Sequence, residues 1–196
     1  MIQSIVFDWG GVLIKDPSLQ MIHYFAKILH VSSAEFLRVY KKFSQDFQYG
    51  TLSEPMLWEA VCEGLMIPQP AFSSLWGTAF RHAYVENKET FRLASRLKAN
   101  GYRISLLSNT EAPSVGFFFE QKYTLFDVVV FSCLEGTRKP EERIYRILLQ
   151  RLHAKPDEVI FIDDNEQYVN GAAKVGIHAV RFRNCRQLRT ALRSLL

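Results

Sequence analysis

Five short apolar runs, at residues 2–7, 102–107, 128–131, 159–162 and 177–180, set the strongest limit on how this chain can fold. They are continuous rather than alternating and are bounded by turn or helix signals, as strands buried on both faces of a parallel sheet are. Parallel strands need crossover connections, and helical segments fill the gaps. In residues 89–99, Phe91, Leu93, Ala94 and Leu97 precede Asn100 and Gly101, a pair that reads as a helix stop. The expected fold class is α/β, a Rossmann-like doubly wound parallel sheet.

Residues 16–85 have a different texture, with several helix starts and no strand pattern. Ser32 and Glu35 form a capping-box signature before Phe36, Leu37, Val39, Tyr40 and Phe43, and Ser53 followed by Pro55 opens a helix through Leu57, Trp58 and Val61. The chain is therefore expected to leave the sheet after its first strand, build a small helical bundle and return. Tyr24, Phe25, Phe43, Phe47, Trp58, Phe72, Trp76 and Phe80 are expected to pack inside that bundle.

A length of 196 residues with 48% hydrophobic content allows one substantial core and a small second one. No apolar stretch is long enough to span a bilayer and no signal-peptide pattern opens the chain. Three widely spaced cysteines, Cys62, Cys133 and Cys185, fit neither a disulfide framework nor a zinc site. The expectation is a cytoplasmic protein, a monomer or weak dimer, with no membrane partner. The net charge of +4 is concentrated late, since residues 167–196 hold Lys174, Arg181, Arg183, Arg186, Arg189 and Arg193 and no acid. Arg186, Arg189 and Arg193 share one helical face opposite Leu188, Leu192 and Leu195, as a solvated outer face does. No aromatic interleaving or recognition module accompanies them, so no nucleic-acid partner is expected. Positive charge of this kind steers anionic substrates.

In a doubly wound sheet, ligands collect at the C-terminal ends of the strands. The first run ends at Asp8, the second in "LLSNT" with Ser108 and Asn109, and the fourth in "FIDDN" with Asp163 and Asp164. Lys139, in "GTRKPEERIY" after the third run, can bring a cation to the same crevice. Adjacent carboxylates repel unless a cation neutralises them, and hard oxygen donors without clustered histidine or cysteine point to magnesium. Such a set suits phosphoryl transfer. Magnesium and Lys139 screen the phosphate, Ser108 and Asn109 hold it, and Asp8 attacks phosphorus in line. Gly10 and Gly11 are read as allowing the sharp turn that turns a carbonyl to the metal.

These motifs, in this order, resemble the haloacid dehalogenase (HAD) superfamily, in particular phosphatases with a helical cap after the first strand. "FDWGGVL" resembles the first motif with Asp8 as nucleophile, "LLSNT" the second with Ser108, "RKPEERIY" the third with Lys139 and "FIDDN" the fourth. The resemblance implies a core of residues 1–15 and 86–196, a cap of residues 16–85, and magnesium held by Asp8, the Gly10 carbonyl and Asp164, with Asp163 behind them. Most HAD phosphatases carry a second aspartate two residues after the nucleophile as general acid and base; here Gly10 stands there. A smaller group with glycine, including bacterial α-glucose-1-phosphate phosphatases, is the nearest comparison.

The implied activity is magnesium-dependent hydrolysis of a small phosphorylated metabolite such as a sugar phosphate. A sugar 1-phosphate suits the missing acid, because its anomeric oxygen leaves more readily than an ordinary alcohol. Tyr24, Phe47 and Tyr49 are candidate cap contacts. Two alternatives stand beside this one: a catalytically weakened binding or regulatory protein, and a metal-independent 2-haloacid dehalogenase.

Overall fold

A computed structural model describes residues 1–71 and 73–196. Phe72, expected in the bundle, lies outside the described residues. Five strands, β1 (Ser4–Phe7), β2 (Arg103–Ser108), β3 (Val128–Phe131), β4 (Val159–Asp163) and β5 (His178–Arg181), form one sheet in the order β3-β2-β1-β4-β5. Every neighbouring pair is parallel, and Phe7 lies opposite Leu106 on one side and Ile162 on the other. This is the expected α/β architecture, with strand ends shifted from the apolar runs by one or two residues.

Both faces are covered because side chains alternate across each strand. Ile5, Phe7, Ile160 and Ile162 join one apolar cluster; Val6, Val159 and Phe161 join the other. Between β1 and β2 lie helices α1 (Ser18–Ile28), α2 (Ser33–Tyr40), α3 (Ser44–Tyr49), α4 (Glu54–Leu65), α5 (Leu75–Ala83) and α6 (Lys88–Ala99). After β2 follow α7 (Ala112–Glu120), α8 (Ser132–Glu135), α9 (Glu142–Leu152), α10 (Glu166–Lys174) and α11 (Cys185–Arg193). Helices α6 and α11 supply Ala94, Leu97, Leu188 and Leu192 to the first cluster, and α9 and α10 supply Ile144, Leu148 and Ala172 to the second.

The first five helices occupy the stretch read as helical from its caps. The Ser32 hydroxyl accepts the Glu35 amide at 3.2 Å while Glu35 accepts the Ser32 amide at 2.9 Å. Aromatic rings fill the bundle: the Phe25 ring lies 5.3 Å from Phe36, 5.0 Å from Trp58 and 5.2 Å from Trp76. Phe47 meets Trp76 edge-on at 4.9 Å. The outgoing and returning segments run side by side, with the Lys15 amide donating to Val85 O at 2.9 Å and the Asn87 amide to Leu13 O at 2.8 Å.

At the other end of the chain, Leu188 and Leu192 of α11 are buried while Arg186, Arg189 and Arg193 face outward. Cys62, Cys133 and Cys185 are unpaired thiols. Among the described residues, no helix is long and apolar enough to cross a membrane.

Candidate active site

Three strand ends deliver the polar residues. Asp8 follows β1 directly, its amide donating to Ile162 O at 2.8 Å as if the ladder ran on for one residue more. Ser108 and Asp163 are the last residues of β2 and β4. Lys139 reaches them from the segment between α8 and α9 and is fully buried. Its Nζ lies 2.8 Å from Asp8 Oδ1 and 2.6 Å from Asp163 Oδ2, and it donates to Leu107 O at 3.2 Å. Asn109, expected to touch substrate, lines the cleft and also bonds through its amide to the Lys139 backbone. Its Nδ2 donates to Lys139 O at 2.9 Å and its Oδ1 accepts the Lys139 amide at 2.8 Å. That reciprocal clamp makes Asn109 a positioning residue for the lysine.

Burial works against the charge on Lys139, yet Asp8 and Asp163 more than offset it and hold the ammonium above its ordinary range. One ammonium cannot satisfy the carboxylates around it. Burial raises Asp8 to about 7, with Lys139 pulling it down and Asp163 pushing it up further. Asp164 is also raised, by burial first and then by its neighbour Asp163.

The two glycines after Trp9 play unequal parts. Gly11 has φ +81°, and a Cβ there would sit 2.3 Å from Asp164 Oδ2, so glycine is required both by the backbone and by the close approach of a carboxylate. Gly10 has neither constraint, since a Cβ there would meet only Pro17 Cδ at 3.8 Å. The expectation that both glycines serve the turn is corrected to Gly11 alone.

Asp8, Asp163 and Asp164 each offer an oxygen within 4.8 Å of the others, the kind of hard donor set that suits a small divalent cation. Fully ionised, the three carboxylates and one ammonium would sum to a charge of about −2, and such a cation would balance it and hold Asp8 and Asp164 ionised. Asp163 has both oxygens engaged, Oδ2 by Lys139 and Oδ1 by the Asn165 amide at 2.8 Å, whereas Asp164 is exposed. The donor set therefore fits magnesium, with Asp8 and Asp164 as the carboxylates free to bind it and Asp163 as their support.

A cleft of about 940 Å³ opens over this group, lined by Asp8, Gly10, Ser108, Lys139 and Asp164 from the sheet edge. Residues of the helical insert close it, among them Tyr40, Gln48 and Trp76. Tyr24, Phe47 and Tyr49 are not brought to it. Tyr24 stacks on His82 at 5.3 Å, Phe47 packs on Trp76, and the Tyr49 hydroxyl donates to Glu141. Sequence reasoning missed Glu111, Arg138, Tyr40 and Gln48, all on the cleft wall. Glu111 was open to notice as an acid three residues past Ser108, but it reads equally well as the cap of the helix that follows.

Known proteins are similar to this chain. Acyl-CoA dehydrogenase family member 10 of Mus musculus is 29% identical over 189 residues, 91% of this chain but 18% of that protein, so the chain spans less than a fifth of that relative. Sesquiterpene phosphatase AstK of Aspergillus oryzae is 29% identical over 65% of this chain and 73% of its own length. (S)-2-haloacid dehalogenase 4A of Burkholderia cepacia is 34% identical over 50% of this chain and 42% of its own. A HAD family enzyme of Bacteroides thetaiotaomicron, crystallised with magnesium and inorganic phosphate, shares the fold with a TM-score of 0.77. It is 22% identical over 93% of this chain and 95% of its own. The family profile of the haloacid dehalogenase-like hydrolases matches residues 2–176, so four motifs gathered at the strand ends, the fold and the profile agree: the chain belongs to that hydrolase family.

Proposed function

We propose that this hydrolase is a magnesium-dependent phosphatase of a small phosphorylated metabolite, of the sugar-phosphate kind, working through an aspartyl phosphate on Asp8. The observation that carries the reading is the buried Asp8–Lys139–Asp163 bridge with Asp164 beside it. Asp8 attacks phosphorus in line, the alcohol leaves, and water then cleaves the acyl phosphate. Lys139 keeps Asp8 oriented and offers its ammonium to a phosphoryl oxygen, Ser108 lies on the same cleft to hold another, and Asp164 with Asp8 and the Gly10 carbonyl would hold the metal. Bound magnesium supplies charge neutralisation, without which two anions would repel.

The insert closes the cleft from the side where the leaving alcohol would sit, and its helices select that alcohol by shape. Hydrolysis of p-nitrophenyl phosphate that needs magnesium, is lost with chelator and falls at least about 10,000-fold in Asp8→Asn is the expected outcome. No hydrolysis across a broad panel of phosphate esters, with binding kept, would turn the reading toward a binding protein.

A second reading has two observations behind it: the glycine at position 10 and the likeness of half the chain to a 2-haloacid dehalogenase. Halide release from 2-chloropropionate in the presence of chelator would carry it. Against it stands Asp164, an additional exposed carboxylate beside a buried bridge, which displacement of halide gives no use.

A further inference from the structure

Four charged side chains lie buried among the described residues. Asp8, Lys139 and Asp163 form the bridge, and Glu111 is the fourth, 8% exposed, with no part in the chemistry so far. It stands at the N-cap of α7, yet its side chain makes no cap bond, and it enters no ion pair among the described residues. Its one side-chain partner is Gln48 of α3, whose Nε2 donates to Oε1 at 3.2 Å. Gly50, at the end of α3, brings that helix onto the core: its φ is +75°, and a Cβ there would lie 2.1 Å from Cys133 O. Gln48 thus reaches Glu111 across the same cleft that holds Asp8 and Ser108.

We propose that Glu111 supplies the proton that the leaving oxygen needs and then takes one from the hydrolytic water, doing the work of the acid that Gly10 lacks. The inference rests on the phosphatase reading. In the first step an Asp8 oxygen forms a bond to phosphorus, the bond from phosphorus to the leaving oxygen breaks, and that oxygen takes the proton of the Glu111 carboxyl. In the second, water gives a proton to the Glu111 carboxylate and its oxygen bonds to phosphorus. The bond to Asp8 breaks, and inorganic phosphate, the Asp8 carboxylate and the Glu111 acid remain.

The surroundings of Glu111 suit both roles. Burial pushes its carboxyl up to about 7, against the opposing pull of Gln48 and Arg138, so acid and base forms coexist near neutral pH. The other titratable groups near it are Tyr40 of α2 and Cys133 of α8, both raised by burial and hence neutral, which leaves Arg138 as the facing charge.

The test compares an aryl with an alkyl phosphate, because p-nitrophenolate leaves without a proton and an alkoxide does not. In Glu111→Gln, kcat/KM on the alkyl ester, which reports only the step in which the alcohol leaves, should fall about 100-fold or more while kcat/KM on p-nitrophenyl phosphate stays within a few-fold; kcat, which includes phosphoenzyme hydrolysis, should fall on both. Wild-type kcat/KM on the alkyl ester alone should decline as pH rises above about 7, a measurement that needs no variant. Equal losses of kcat/KM on both esters, no loss on either, or the same alkaline decline of kcat/KM for both would overturn the proposal. Absence of any magnesium-dependent turnover by the wild type would overturn the phosphatase reading itself.

Discussion

The sheet edge and the helical insert bury side chains for opposite reasons. At the edge, Asp8, Lys139 and Asp163 are packed out of water although each would be more comfortable in it, and only mutual neutralisation holds them there. In the insert, Phe25, Phe36, Trp58 and Trp76 are buried because water excludes them, and their rings sit within 5.0 to 6.4 Å of one another where they meet. The first cluster spends stability on geometry and the second generates it. A hydrolase of this build needs both, one to hold reacting atoms and the other to keep a wall over them.

That contrast can be broken from either side. Lys139→Met should destabilise the fold by about 3 to 5 kcal/mol, because it strands two carboxylates in the interior, and should abolish turnover as well. Thermal and urea unfolding, with activity beside them, would check it, and a variant of normal stability would mean the bridge carries no strain of burial. Phe25→Ala should cost a similar amount, about 3 to 5 kcal/mol, through the cavity it leaves among the rings. It should leave kcat on a small aryl phosphate within a few-fold. A large loss of kcat there would show that the aromatic cluster also shapes the reaction centre.

The pH dependence of stability sharpens the comparison. Glu111 has a folded-state value near 7 against an ordinary 4.5, so the folded chain binds its proton more tightly than the unfolded one. Its effect is therefore fully favourable below about pH 4.5 and is lost as pH rises through about 7, a decline on the order of 3 kcal/mol. Glu111→Gln should remove that decline in urea midpoints measured across the range, and an unchanged slope would refute the assignment.

The smallest effect separates the two glycines. Gly10→Ala should change stability by less than about 1 kcal/mol, since its Cβ meets only Pro17 Cδ at an ordinary contact distance of 3.8 Å, whereas Gly11→Ala meets both the positive φ and Asp164 and should cost more. Equal melting temperatures for the two variants would count against the geometry described.

Much of this was legible in advance, and the reasons differ by region. The sheet could be read because strands buried on both faces leave continuous apolar runs, and the bridge because acids at strand ends and a lysine beside a proline leave few other uses for so much charge. Glu111 could not be read as reactive, since an acid before Ala112 and Pro113 looks like an ordinary helix cap until the structure shows that no cap bond is made. The part Asn109 plays as a clamp could not be read, because its partner, the Lys139 backbone, lies 30 residues away in the chain. Which rings of the insert face the cleft depends on how five helices rotate against each other, and sequence period alone leaves that rotation open. Gly10 and Gly11 are identical letters, and only the fold tells them apart, through the positive φ and the Asp164 carboxylate at Gly11.

The two chain segments bonded at the base of the insert have a consequence for how the chain folds. Strand β1 must find β2 across about ninety residues, and an unstructured loop of that length would make their meeting slow. Because Lys15 bonds Val85 and Asn87 bonds Leu13, the intervening helices form a closed detour whose ends already touch. By the logarithmic growth of loop-closure entropy, replacing a connection of about ten residues with one of about seventy costs the sheet only about 2 kcal/mol. An excursion this large is nearly weightless to the scaffold beneath it, so the insert can change its length and lining while the sheet and its charged edge stay as they are.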